Sequence, residues 1–198
     1  MNRGAVREAL RRLEQARLVA VRQGGGSRVL DYRSRGGLEL LPALLVTPDG
    51  GVEPGVVLGI LEMRSALGPD VARLAALRGG AACADRLAPH VAAMGEAGED
   101  LERLQMLVSG FWDCLVEGSG NVAYRLAFNA LEETYARCRG LLAHALAAEL
   151  TDAAAYAGIA AAVRHGRAEE AEVLARALLR RGESGVVRAL GRAAEAAS

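Results

Sequence analysis

The sequence predicts a mainly α-helical chain, in which a short basic helix and a glycine-tipped β-hairpin precede an all-α helical bundle. Three observations carry this. Apolar residues recur every three or four positions across residues 2–15 and again from Gly55 onward. Strand-like sequence is confined to the residues flanking Gly24-Gly25-Gly26, and no alternating pattern appears after residue 54. Charge is also divided unevenly: the chain of 198 residues carries 24 basic and 24 acidic side chains, a formal net charge of zero. Residues 1–35 hold nine arginines against three acids, so a segment of net +6 is joined to a remainder of net −6. Such a split points to a polyanion-binding segment attached to an ordinary domain.

From Asn2 to Gln15, Val6, Leu10 and Leu13 form the apolar stripe of a helix, with Arg3, Arg7, Arg11 and Arg12 on its other faces. Leu18 to Val21 reads as a strand, Arg22 to Arg28 as a flexible turn, and Val29-Leu30 as the returning strand. A basic helix followed by such a hairpin is the end of a winged helix-turn-helix. The helix enters a major groove and the hairpin reaches the neighbouring backbone or minor groove. Residues 1–31 are therefore the C-terminal part of a winged-helix DNA-binding domain. Residues 32–54, punctuated by Gly36-Gly37, Pro42 and Thr47-Pro48-Asp49-Gly50-Gly51, form a linker with one short helix between Leu38 and Leu45.

Residues 55–198 are helical throughout. Val56, Ile60, Met63, Leu67, Val71 and Leu74 step by three or four, as do Leu101, Leu104, Val108, Phe111 and Leu115, and Leu131, Tyr135, Cys138 and Leu142. Further amphipathic segments run over residues 153–165 and 168–181, with a last one after Ser184. Asp152 and Ser184 are expected as N-caps and Gly182 as a C-terminal stop. The stripes enclose a bundle core with room for a cavity.

The chain contains no lysine, which excludes a Walker A loop, Schiff-base chemistry and a lysine general base. No Ser/His/Asp grouping, HExxH or GxSxG is present, so no enzyme is expected. Cys83, Cys114 and Cys138 lack metal or disulfide spacing and read as buried, reduced thiols. With no signal-peptide core, and no run near the roughly 18 apolar residues of a membrane span, the expectation is a soluble, cytoplasmic protein without a membrane partner.

Two runs carry a family resemblance. Asn2-Arg3-Gly4-Ala5-Val6-Arg7-Glu8-Ala9-Leu10-Arg11-Arg12-Leu13-Glu14, with Leu18-Val19 and Gln23-Gly24-Gly25-Gly26, resembles the recognition helix and wing of GntR-superfamily transcription regulators. Glu62-Met63-Arg64, Ala72-Arg73-Leu74-Ala75-Ala76, Phe111-Trp112, Leu115 and Ser119-Gly120-Asn121 resemble the effector domain of the FadR subfamily, the FCD type. The resemblance implies a homodimer on double-stranded operator DNA, with affinity set by a small effector in the bundle. On the DNA side it implies Arg3 and Arg7 at base edges or the first phosphates, with Gly4 permitting close approach. Gln23 and Gly24 fall at the wing tip, and Arg11 and Arg28 on phosphates. It also implies two further helices ahead of the recognition helix, and therefore an N-terminally truncated chain.

Family members often bind a divalent metal through an Asp, a His one turn later and two further histidines. The matching positions here are Val108, Trp112, Tyr156 and Leu178, and none is a plausible ligand for such a cation. No metal and no cofactor are expected. Two readings follow. Either the pocket is apolar and takes a greasy, acyl-type effector, or Trp112 fills it and no small effector exists. Arg64 and Arg125 suit a carboxylate or phosphate at the pocket mouth, or else are solvated or salt-bridged. Asn121 is either a helix cap or a pocket residue.

Overall fold

The computed structural model describes residues 2–22, 25–48 and 50–196. Asn2 opens α1 (Arg3–Gln15), its side chain accepting the Gly4 N–H at 3.0 Å. That satisfies one of the donors a helix start leaves free. α1 closes where the Leu18 N–H reaches back to the Leu13 carbonyl at 2.9 Å. Arg17 there adopts φ 57°, a left-handed position where glycine is usual.

β1 (Val19–Arg22) pairs antiparallel with β2 (Gly25–Val29), Val19 opposite Val29 and Val21 opposite Ser27. The Glu14 carboxylate accepts the Val21 N–H at 3.3 Å and ties the hairpin to α1. The sequence assigns residues 22–28 to a turn, but pairing runs from Gly25. Ladder pairing is a main-chain matter: Gly25 lies opposite Arg22 and Ser27 opposite Val21, with Gly26 the extra residue of a bulge between them. Gln23 and Gly24, the expected wing tip, lie outside the described residues.

The segment expected to be a linker contains α2 (Tyr32–Arg35), a 3-10 turn at Leu38–Leu40 and α3 (Leu41–Leu45). Leu40, Pro42 and Leu45 are buried, and α3 packs on the bundle. Val46 bridges Val52, closing a short loop.

The bundle comprises α4 (Pro54–Arg78), α5 (Gly80–Ala97), α6 (Leu101–Ser119), α7 (Val122–Leu142), α8 (Ala147–Leu150), α9 (Ala153–Arg164) and α10 (Ala168–Ala196). α4 is central, lying against α6, α9 and α10, and α5 packs on α6 and α9. Asp152 caps α9 as expected, accepting the Ala155 N–H at 3.0 Å. α4 runs through Pro69, whose missing N–H removes one hydrogen bond from the helix.

α10 corrects the sequence reading, because it continues unbroken through Gly182 and Ser184. A side chain at 182 would overlap the Glu149 carboxylate and Leu146, and one at 185 would overlap the Ala145 carbonyl. These glycines serve close helix approach, not termination.

Two outcomes follow from this packing. Gly182→Ala is expected to destabilise by about 1–3 kcal/mol, since overlap with a held carboxylate outweighs the helix propensity gained. Gly191→Ala, in the same helix with nothing within 4 Å, is expected to stabilise by up to about 1 kcal/mol. Urea denaturation of both variants checks the opposite signs. Second, Asp70 joins α4 to α7 by accepting from the Tyr124 hydroxyl at 2.8 Å, and it also accepts from Arg73 at 2.7 Å. Burial pushes its pKa up, but these bonds prevail and hold it below the ordinary 3.8. A depressed carboxylate stabilises above its unfolded pKa, and that stability is lost as pH falls through the folded value. Asp70→Asn should therefore cost about 1 kcal/mol or less at pH 7, as suits a carboxylate one-third exposed. The gap to wild type should close at pH below 3, measured by denaturation at both pH values.

Candidate DNA interface and effector cavity

Arg3, Arg7 and Arg11 fall at successive turns of α1 and form one exposed stripe. Arg28 is exposed on β2, opposite Ala20. Among the described residues none of these four makes an ion pair, whereas Arg12 pairs with Glu8 at 3.5 Å. The first turn of α1 contains no acid, so the positive end of its backbone dipole is not cancelled there. Gly4 stands beside Arg3, and a side-chain carbon there would meet the Asn2 Oδ1 at 3.3 Å. The apolar stripe beside the arginines is uncovered: Val6 is 39% and Leu13 40% exposed, and no residue of α1 is buried.

In the bundle, α3, α4, α6, α7, α8 and α10 enclose a cavity of about 140 Å³. Its walls are mainly apolar, with Leu61, Leu67, Val108, Trp112, Phe128 and Leu179 among them. Gly68 makes room for Leu179, whose Cδ1 would lie 2.5 Å from a side-chain carbon there, with the Trp112 ring in contact at 3.4 Å. Phe111 stacks edge-on against both Trp112 and Tyr156, with ring centres 6.3 and 5.0 Å away.

A polar cluster interrupts the apolar wall. The Arg64 guanidinium pairs with Glu149, whose side chain is 1% exposed. The Gln105 amide donates to the Tyr135 hydroxyl at 2.7 Å and to the Arg139 carbonyl at 2.8 Å. Ser109 donates to Glu132. Burial pushes the Glu149 carboxyl up, and the Arg64 charge and the hydrogen bonds from Arg64 and Tyr156 offset this only in part. Burial works against the Arg64 charge as well, but Glu149 outweighs it and the guanidinium stays ionised. Burial also pushes Tyr135 up to about 12 and the Cys138 thiol up to about 11, so both stay protonated at neutral pH. Trp112 Nε1 is buried without a hydrogen-bond partner among the described residues.

Of the residues expected in the pocket, Arg64, Val108 and Trp112 line this cavity together. Tyr156 and Leu178 are fully buried but are not part of its lining, which takes Leu179 instead. Asn121 caps α7, accepting the Ala123 and Tyr124 N–H groups at 3.0 and 3.4 Å. Arg125 lies away from the cavity, bound to Asp113 at 2.5 Å and Glu117 at 3.4 Å and lying over Phe128. Two acids near the end of α6, eight and twelve residues before it, decide its place, where a guanidinium fork alone suggested a ligand. Gln105, Tyr135 and Glu149 were not singled out by sequence. The available signal was polarity at buried helical phase: Gln105 precedes Val108 by three, and Glu149 sits in an Ala/Leu run.

A divalent metal does not fit these residues. The four positions that match the family's ligands carry Val108, Trp112, Tyr156 and Leu178. Among the described residues no group of three or more His, Cys, Asp or Glu could hold an ion. Among them, too, no helix is long and apolar enough to cross a membrane.

Residues 59–181, from within α4 to within α10, match the FCD domain family. The chain is 37% identical over 179 residues to the HTH-type transcriptional regulator Mce2R of Mycobacterium tuberculosis, covering 90% of this chain and 74% of that protein. An uncharacterized HTH-type transcriptional regulator of Mycobacterium bovis matches with the same identity and coverage. Among solved structures, Streptococcus agalactiae GntR superposes with a TM-score of 0.58 at 22% identity, over 93% of this chain and 82% of that one. That likeness extends the shared fold from the bundle to the α1–hairpin unit, a partial winged helix-turn-helix on a mainly α chain. With its exposed arginine helix, its wing and its bundle cavity, the chain belongs to the GntR family of transcription regulators that carry an FCD effector domain.

Proposed function

We propose that this chain is a cytoplasmic, FadR-type DNA-binding regulator, acting as a homodimer, whose operator affinity is tuned by a small apolar or acyl-type effector in the bundle cavity. Arg3 and Arg7 read base edges or the first phosphates, because a guanidinium fork matches guanine and phosphate alike. Gly4 lets the backbone approach, Arg11 and Arg28 hold phosphates, and Gln23 and Gly24 meet the minor groove or backbone at the wing tip. Such a protein is a regulator, not a catalyst.

The observation that carries this reading is Leu45. It belongs to α3, in the segment that follows the wing, yet it is 1% exposed and forms part of the cavity wall. An occupant that moves Leu45 moves α3 and the chain leading back to β2. A ligand of this kind changes operator affinity only through its different affinity for the two arrangements, a population shift.

A second reading is favoured by α1, which buries none of its residues. A helix with Val6 and Leu13 exposed and Leu10 only half-buried is held weakly, and the DNA-binding form then needs a further element over that stripe. On this reading the chain by itself is an effector-binding and dimerisation module. Gel-shift titration separates the two. If α1 binds as proposed, Arg7→Ala weakens specific operator binding by about 1–3 kcal/mol and relaxes sequence preference. Operator affinity unchanged by Arg7→Ala refutes the base-reading role. Absence of any shift by the wild-type chain at low salt favours the second reading.

A further inference from the structure

We infer that Glu14 is a positioning residue for DNA binding. Its carboxylate fixes the wing on the face of α1 that carries the arginine stripe, so that Arg28 and the stripe meet one duplex together. This rests on the DNA-binding reading above and goes beyond it, since Glu14 acts through the wing and not by contact.

Glu14 follows Arg3, Arg7 and Arg11 at helical spacing and ends their stripe on the same face of α1. The chain then turns and brings β1 back against α1. There the Glu14 carboxylate accepts the Val21 N–H at 3.3 Å.

The ladder leaves that N–H available. The Leu30 N–H donates to the Leu18 carbonyl at 2.9 Å, and Ala20 lies opposite Arg28. Bonded and unbonded pairs alternate in an antiparallel ladder, so Leu18 and Ala20 turn their main-chain groups toward β2. Val21, opposite Ser27, points its N–H away from β2.

Among the described residues this is the one side-chain hydrogen bond between α1 and the hairpin. α1 buries none of its own residues, so the rest of the hold is the main-chain turn from Leu13 to Leu18. The turn fixes where β1 starts. The carboxylate, reaching past that start to Val21, fixes its angle to α1.

Electrostatics alone disfavours a carboxylate here. An acid in the last turn of a helix faces the negative end of the backbone dipole. In a segment of net +6 it also repels the phosphates that its neighbours attract. Glu8 offsets such a cost by pairing with Arg12, whereas Glu14 makes no ion pair among the described residues.

The full chain is titrated at low salt into a fluorescein-labelled duplex of mixed sequence, with binding read by anisotropy. Glu14→Gln and Glu14→Ala both remove the charge and gain the same attraction for phosphate, but only Gln keeps an oxygen that can accept from Val21. Glu14 and Arg28 are both exposed, so no variant removes core packing. Glu14→Ala is expected to bind about threefold more weakly than Glu14→Gln, the worth of one exposed hydrogen bond. Equal affinities overturn the role. Adding Arg28→Ala should lower the salt slope of log K by about one in the Glu14→Gln chain and by much less in the Glu14→Ala chain. A tie that merely stabilised the hairpin would not change which phosphates Arg28 meets, so an equal slope change in both chains also overturns positioning. If the wild-type chain binds no duplex, the DNA-binding reading falls and the positioning role falls with it. Amide exchange then decides the tie alone: exchange at Val21 is expected to be faster in Glu14→Ala than in Glu14→Gln, and equal rates overturn it.

Discussion

The pairing of Arg64 with Glu149 is the constraint around which the bundle is arranged. Glu149 belongs to a helix of only four residues, yet it is among the most buried side chains of the chain. Water is not available to it, so the guanidinium of α4 must be. Removing one partner of such a pair leaves a buried charge and typically costs about 3–5 kcal/mol, whereas the intact pair is near neutral in stability. Its value lies in fixing position. The carboxylate ties α8 to α4, and α10 can cross at this level only because residue 182 has no side chain. Ser65, next to Arg64, donates to Glu183, next to Gly182, at 3.0 Å, so the same crossing is fastened twice.

The same pair determines what the cavity can select. Had Arg64 been free, the pocket would attract anions, in line with an acid-binding or metal–carboxylate site. With Glu149 opposite, the Arg64 charge is neutralised within the wall, and selectivity passes to shape and to hydrogen-bond direction. α7 forms one wall while burying only Thr134 and Cys138 among its residues. A helix attached through half-buried side chains yields more readily than α4 or α6, whose faces are packed on several sides. α3 rests on both α7 and α4, so displacement of this wall reaches the segment that follows the wing.

Much of the fold was legible because it is written in periodicity. The stripes through Val71, Phe111 and Leu142 announced helices, and Asp152 announced a start, since its carboxylate answers a local backbone need. What periodicity cannot carry is the identity of the neighbour. Gly182 reads as a stop because glycine ends many helices, and only the approach of Glu149 turns it into a packing residue. Arg64 and Arg125 looked alike in sequence, both arginines at a presumed pocket mouth. One meets a buried acid across the bundle, and the other meets Asp113 and Glu117 on the helix preceding its own. The candidate cavity was half legible for the same reason: Val108 and Trp112 follow from one helix face, but Glu149 joins them only through tertiary packing.

Zero net charge takes on a physical meaning once the pairs are located. Among the described residues, nine of the fifteen arginines beyond residue 55 engage a carboxylate, from Arg64 to Arg181. Of the nine within residues 1–35, only Arg12 does. Ten acids of the bundle, Asp70 and Glu149 among them, thus face the bundle's own arginines. Arg3, Arg7, Arg11 and Arg28 are exposed and make no ion pair among the described residues, which is the state in which a cation gains most from phosphate, since binding releases condensed counterions and sacrifices no internal pair. Arginine in place of lysine adds direction to that charge: a planar fork distinguishes a guanine edge or a phosphate from a diffuse negative potential. Arg3, Arg7 and Arg11, held on one stripe of α1, give that part of the +6 segment a common direction.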